Sequence, residues 1–311
     1  MFSLVKHLTW ISLLFISISV KAIFQPLAHF GDNPGELSAS YLKPSKQTKS
    51  LVVLLHGCVQ NGEKLARQSG FVALAQQHDF TLLIPQQSNK NNVKSCFNWF
   101  SDQDISKDQG EVQSIKNMIV ALKTQLNAEK IYIAGLSAGG AMTSALLTHY
   151  PKLFSAGAVI AGLPYPCAND LAKAISCMRN GPSQSIAELV TLAKRENEKV
   201  MQWPRLIVIT GTNDKVVNPK NSHQLAWQWS TLSDKSQQPN KTSHENYQRT
   251  LWQNTNKESQ VELLEINEIS HGITVNPSLK NREASARFIY ESPLDSATNI
   301  VEFWGIKKEK Y

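Results

Sequence analysis

The sequence is short of several features that would settle its class at once. It has no H-E-x-x-H, no C-x-x-C and no P-loop, so none of the common metal or nucleotide fingerprints is present, and no metal or organic cofactor is called for. No internal repeat or low-complexity linker divides it. Only the opening residues are apolar over any length, and the run from Leu8 to Val20 falls short of the ~20 residues that a membrane helix needs. Cysteine is scarce, with four residues in 311. The formal charge is +7, or +5 without Lys6 and Lys21, but the basic residues are scattered, with one cluster at Lys307, Lys308 and Lys310. A nucleic-acid partner would call for a basic stripe or a known motif, and neither is seen.

What is present begins with a leader. Residues 1–22, "MFSLVKHLTWISLLFISISVKA", place Lys6 and His7 before the apolar run and end it at a small residue, the layout of a secretory signal peptide. The expected product is a secreted chain, periplasmic or extracellular, with no stable membrane span after cleavage and one catalytic domain over 23–311. Cys58, Cys96, Cys167 and Cys177 fit two disulfides in such a compartment. Three connectivities are open; a Cys167–Cys177 bridge would close a short loop and leave Cys58 to Cys96.

Apolar, β-rich runs alternate with helical spacing. "LVVLLHG" (51–57), "FTLLIPQ" (80–86), "IYIAGLS" (131–137), "SAGAVIAGL" (155–163), "RLIVITGTND" (205–214) and "VELLEINEISH" (261–271) read as strands, and 63–78, 111–126, 138–149 and about 221–231 as helices. Near-continuous apolar strands belong to a parallel sheet covered on both faces. The expected fold is therefore α/β, a mostly parallel doubly wound sheet, with 164–204 as a small cap-like insertion and 233–246 as a surface loop.

Within that frame Gly135, Ser137 and Gly139 form a G-x-S-x-G that ends a strand and opens a helix, the context that marks a nucleophile elbow. A serine needs a base and a partner to orient that base. In this fold they follow in the order acid, then histidine, at strand ends. Asp214 closes "ITGTND" and His271 closes "EISH". His149, His78, Asp79, His223 and His244 sit in helices, helix ends or polar segments; Asp102, Asp104 and Asp108 precede the serine, and Asp170 falls in the cap. An oxyanion hole would use the NH of Ala138 and a second NH just past "LLHG", at Cys58, with His56 shaping the loop. Losing one such donor typically costs about 3 kcal/mol.

"LLHGCVQNGE", "CFNWF", "IYIAGLSAGGAMTSALL", "AGLPYPCA" and "SCMRNG" together resemble the polyhydroxybutyrate depolymerase and esterase family of α/β-hydrolases, which also holds feruloyl and acetylxylan esterases. The resemblance runs from about residue 35 to about 290. It implies Ser137, Asp214 and His271 as the triad, Cys58 as an oxyanion donor, and the Cys58–Cys96 bridge that spacing alone leaves unsettled. It also implies an ester substrate, a hydroxyalkanoate polymer or oligomer. The alternatives are a feruloyl or acetylxylan esterase and, less favoured, a catalytically silent binding protein. Depolymerases of this kind commonly append a polymer-binding domain; here 40 residues follow His271, among them "DSATNIVEFWGI", which reads as a closing helix. Where the family has "CWNWF" this chain has Phe97, and keeps Asn98 and Trp99. Trp99 is a candidate pocket residue, with core packing as the alternative.

Overall fold

The computed structural model describes residues 23–46, 49–195, 197, 200, 202–233, 238–254, 258–279, 282 and 286–306. The leader over 1–22 and the lysines at 307–310 lie outside the described residues. Ten strands form one sheet: β1 (Gln25–Pro26), β2 (Ser38–Leu42), β3 (Ser50–Leu55), β4 (Thr81–Gln86), β5 (Lys130–Leu136), β6 (Ala156–Ile160), β7 (Arg205–Gly211), β8 (Asn240–Ser243), β9 (Tyr247–Gln253) and β10 (Ser259–Ile266). Their order is β1-β2-β4-β3-β5-β6-β7-β10-β9-β8. The central six run parallel, and the antiparallel pairs lie at the two edges.

Alternation explains why the central strands are apolar throughout. Leu51, Val53 and Leu55 of β3 face one core, which they share with α4 (Gly110–Leu126), α5 (Ala138–His149) and α8 (Lys220–Leu232). Val52 and Leu54 face the other, shared with α1 (Gly62–Gln68), α2 (Phe71–His78) and α9 (Ser296–Trp304). With both faces covered, neither can afford a polar residue. Helix α5 is buried along its whole length, and its polar side chains turn back to carbonyls: Thr143 Oγ1 donates to Gly139 O at 2.8 Å and Ser144 Oγ to Leu163 O at 2.8 Å.

Some elements differ from the sequence expectation. The helical stretch 63–78 is two helices, broken at Gly70, whose φ of 89° an α-helix cannot hold. The stretch 233–246 is not only a loop, since β8 occupies Asn240–Ser243 and is wholly exposed. β2 and β9 were not expected; β9 is buried only at Thr250 and Trp252, so it lacks the continuous apolar run of a central strand. The segment 164–204, expected as a small insertion, carries α6 (Leu171–Asn180) and α7 (Ile186–Arg195). It is held to α8 by Gln228 Nε2 donating to Tyr165 O at 2.8 Å and by Asn221 Nδ2 donating to Cys177 O at 2.9 Å.

After β10 the chain passes His271 and forms a two-stranded parallel sheet, β11 (Ile273–Val275) and β12 (Ile289–Glu291). Asp295 secures this unit. Its carboxylate caps α9 through Thr298 NH at 2.9 Å, accepts Asn276 NH at 3.2 Å, and takes the Arg282 guanidinium at 2.7 and 3.2 Å. Both side chains of the ion pair are only 3% exposed. Breaking a buried pair leaves an uncompensated charge, so Asp295→Ala is expected to lower the unfolding free energy by about 3–5 kcal/mol in urea titration.

Candidate active site

The elbow is built on two close approaches that only glycine permits. A Cβ at Gly135 would collide with the Gly139 carbonyl and Thr143 Oγ1, and one at Gly139 would press into the carbonyl oxygens of Leu55 and His56. Bare backbone at these positions lets α5 start directly against the ends of β5 and β3. Ser137 then adopts φ 58° and ψ −117°, a conformation that a residue with a Cβ rarely takes. Its NH donates to Ile160 O at 2.9 Å at the end of β6, which holds the turn.

His271 and Asp214 reach the serine from 134 and 77 residues along the chain. His271 Nε2 lies 2.8 Å from Ser137 Oγ, and His271 Nδ1 lies 2.7 Å from Asp214 Oδ2. Asp214 Oδ1 accepts the NH groups of Val216 and Val217 at 2.8 and 2.9 Å, so the carboxylate has one orientation. Both side chains are almost sealed from solvent, at 7% and 0% exposure. Because Asp214 can only accept, it fixes Nδ1 as the protonated nitrogen and leaves Nε2 free to take a proton from the hydroxyl. The ring of Phe288 stands edge-on to His271 at 5.9 Å.

The loop after β3 meets the elbow from the other side. A Cβ built on Gly57 would lie 3.3 Å from Ser137 Cβ. Among the described residues no acceptor pairs with the NH of Cys58 or of Ala138, the two donors anticipated from sequence. Cys58 is bonded to Cys96, and Cys167 to Cys177. His56 is fully buried and is no base for Ser137. Its Nδ1 faces Gly57 O at 2.7 Å, and its Nε2 accepts from Gln87 NH at 3.1 Å beside the Gln86 amide at 3.0 Å. Burial pushes its pKa down to about 4, the Gly57 carbonyl pulling the other way, so the ring is neutral.

The competing residues are spent elsewhere. His149 Nε2 bonds Ile105 O, His223 pairs with Glu265 at 2.8 Å, His244 stacks on Tyr247, and Asp170 caps α6. Asp79 ends α2 in the left-handed region, and Asp108 accepts Lys116. Trp99 is 7% exposed and packs in the core edge-on to Phe100. Gln60, Gln86, Gln87 and Glu111 went unnoticed in sequence. Gln60 Oε1 accepts Gly57 NH at 2.7 Å, and Gln87 Nε2 donates to the buried Glu111 carboxylate at 2.5 Å. An acid in the first turn of a helix usually faces water, and nothing in its spacing signals otherwise.

Among the described residues no group of three or more His, Cys, Asp or Glu could hold a metal ion, and no helix is long and apolar enough to cross a membrane.

Comparison with known proteins gives a consistent picture. Residues 37–238 match the family described as esterase PHB depolymerase, a span that includes Ser137 and Asp214 and ends before His271. The chain is 32% identical over 298 residues to poly(3-hydroxyalkanoate) depolymerase C of Paucimonas lemoignei, covering 93% of this chain and 72% of that one. It is 27% identical to feruloyl esterase B of Talaromyces funiculosus, over 77% and 69% of the two chains. Its fold is similar to that of an acetyl xylan esterase from Aspergillus awamori, with TM-score 0.75 and 19% identity over 91% of this chain and 99% of that chain. With an α/β-hydrolase sheet, an elbow serine and a match over most of its length, the chain belongs to the esterase PHB depolymerase family and is a hydrolase acting on esters.

Proposed function

We propose that this protein is an exported serine esterase that hydrolyses poly(3-hydroxybutyrate)-type polyesters or their oligomers. The observation that carries the reading is the position of His271, with Nε2 2.8 Å from Ser137 Oγ and Nδ1 on the buried Asp214. His271 takes the hydroxyl proton as Ser137 Oγ attacks the ester carbonyl. Asp214 stabilises the imidazolium, and the NH groups of Cys58 and Ala138 receive the negative charge that develops on the carbonyl oxygen. The imidazolium then protonates the departing alkoxide, leaving an acyl-enzyme. Water, deprotonated by the same histidine, attacks the acyl carbon and releases the acid with Ser137 restored.

The hydroxyalkanoate reading is supported by the depolymerase relative at 32% identity. A second reading, cleavage of feruloyl or acetyl esters on plant polysaccharide, is supported by the feruloyl esterase relative at 27%. Export is supported by the layout of residues 1–22 and by two disulfides.

Ser137→Ala is expected to lower kcat on a p-nitrophenyl ester by about 10⁶-fold, and Asp214→Asn by about 10⁴-fold, each with its melting temperature retained; wild-type rates in the serine variant would end the proposal. Assayed on a 3-hydroxybutyrate oligomer, amorphous polyhydroxybutyrate, methyl ferulate and acetylated xylan, the wild type is expected to prefer the first two. Selective cleavage of ferulate or acetylxylan moves the assignment to the second reading. N-terminal sequencing of exported protein is expected to start near Ile23, and an intact Met1 would remove the cleaved leader.

A further inference from the structure

Glu111 takes no part in the chemistry above, yet it is fully buried in the first turn of α4. A carboxylate is costly to bury without partners. Its partners are all N–H donors: Gln87 Nε2 at 2.5 Å and Asn91 Nδ2 at 3.4 Å on Oε1, and Asn98 NH at 2.8 Å on Oε2. Gly35 closes over it, with Asn91 Nδ2 also reaching Gly35 O at 3.0 Å. Asp104 is the charged neighbour, and it repels.

Two chains of bonds lead from this carboxylate to one peptide. On the first, Gln87 is held by its side chain on Glu111 while its NH donates to His56 Nε2 at 3.1 Å; His56 Nδ1–H in turn donates to Gly57 O at 2.7 Å. The Gly57 carbonyl and the Cys58 NH are opposite ends of one trans peptide, so fixing the carbonyl aims the NH the other way. On the second, Asn98 is anchored on Oε2, and its Oδ1 accepts Asn92 Nδ2 at 2.8 Å. Asn92 Oδ1 accepts Cys96 NH at 3.3 Å and Lys94 NH at 3.0 Å. Cys96 is bonded to Cys58, and Lys94 O accepts Val59 NH at 2.6 Å. The two routes arrive on either side of the Gly57–Cys58 peptide.

We infer that Glu111 is a positioning residue for the oxyanion donor at Cys58, aligning the Gly57–Cys58 peptide through the Gln87–His56 route on one side and the Asn98–Cys96 route on the other. The inference rests on the esterase reading for the use of that NH, but the alignment of the peptide is a separate fact with its own measurement. Donors alone surround the carboxylate, so the ionised form satisfies all three. Protonation would set an O–H against an N–H and release one of the two routes, so the alignment is complete only where the carboxyl is ionised, above about pH 8. Burial pushes the carboxyl up to about 8, while the Asn98 NH and Gln87 amide draw it down.

The test compares wild type with Glu111→Gln and with Gln87→Met, which cuts the first route and leaves Asn98 on the carboxylate, so one variant remains if the other does not fold. Two quantities are measured at pH 9, where the carboxyl is ionised: kcat and KM on p-nitrophenyl acetate, and amide hydrogen exchange of the 54–62 segment, where Gly57 and Val59 NH are internally bonded. A lost oxyanion donor is worth roughly 10²–10³ in kcat. A misaligned one is expected to cost about 10–100-fold on that scale, with KM within about threefold, and exchange at Gly57 and Val59 is expected to quicken. A folded variant with kcat within about twofold of wild type, or with unchanged exchange, overturns the inference. Should wild type cleave no ester at all while exchange still quickens in the variants, the positioning stands and the esterase reading fails.

Discussion

The site depends on how closely α5 begins against the end of β3. That spacing is set at Gly139, where a methyl group would drive into the carbonyls of Leu55 and His56. It puts the first turn of a buried helix, with its unpaired NH groups and positive dipole end, beside the loop that carries Cys58. The loop after β3 and the elbow then meet closely enough that a Cβ on Gly57 would lie 3.3 Å from Ser137 Cβ. The strained φ of 58° at Ser137 persists because Gly135 and Gly139 leave no room for the turn to relax, and because Ser137 NH is tied to Ile160.

Around that point the protein buries polar groups that a stability argument alone would remove. His56 is held neutral and Glu111 is sealed under the loop at 31–37, each with its bonds satisfied by amides. A carboxyl raised to about 8 binds its proton more tightly in the folded state than in the unfolded chain. It therefore erodes stability as pH rises from the usual carboxylate range toward 8. Such a cost is bearable in a sheet with two continuous cores. What it secures is direction, since an apolar filler in place of Glu111 would leave Gln87 and Asn98 free to turn.

The parts of the fold that could be read in sequence were those with strong local signals. The six central strands, the long helices α4, α5 and α8 and the closing helix α9 all carry uninterrupted apolar or 3.6-residue patterns. The antiparallel strands β2, β8 and β9, outside the parallel centre, lack its continuous apolar runs: β8 is wholly exposed, and β2 and β9 mix buried with exposed positions. Trp99 looked like pocket or core with equal justification, since an aromatic ring suits both; its burial is a property of the packed chain.

Sequence by itself determined the alternation of elements, the elbow at Ser137 and the chain order in which an acid and a histidine should follow. Each is a local pattern, legible because glycine spacing and apolar runs act over a few residues. Only tertiary structure decided that Asp214 and His271 meet Ser137 while His149 and His223 turn elsewhere, and that Glu111 faces inward. Those outcomes hang on strand order and on which side chains find partners 24 to 134 residues away, and no local pattern encodes a distance in space.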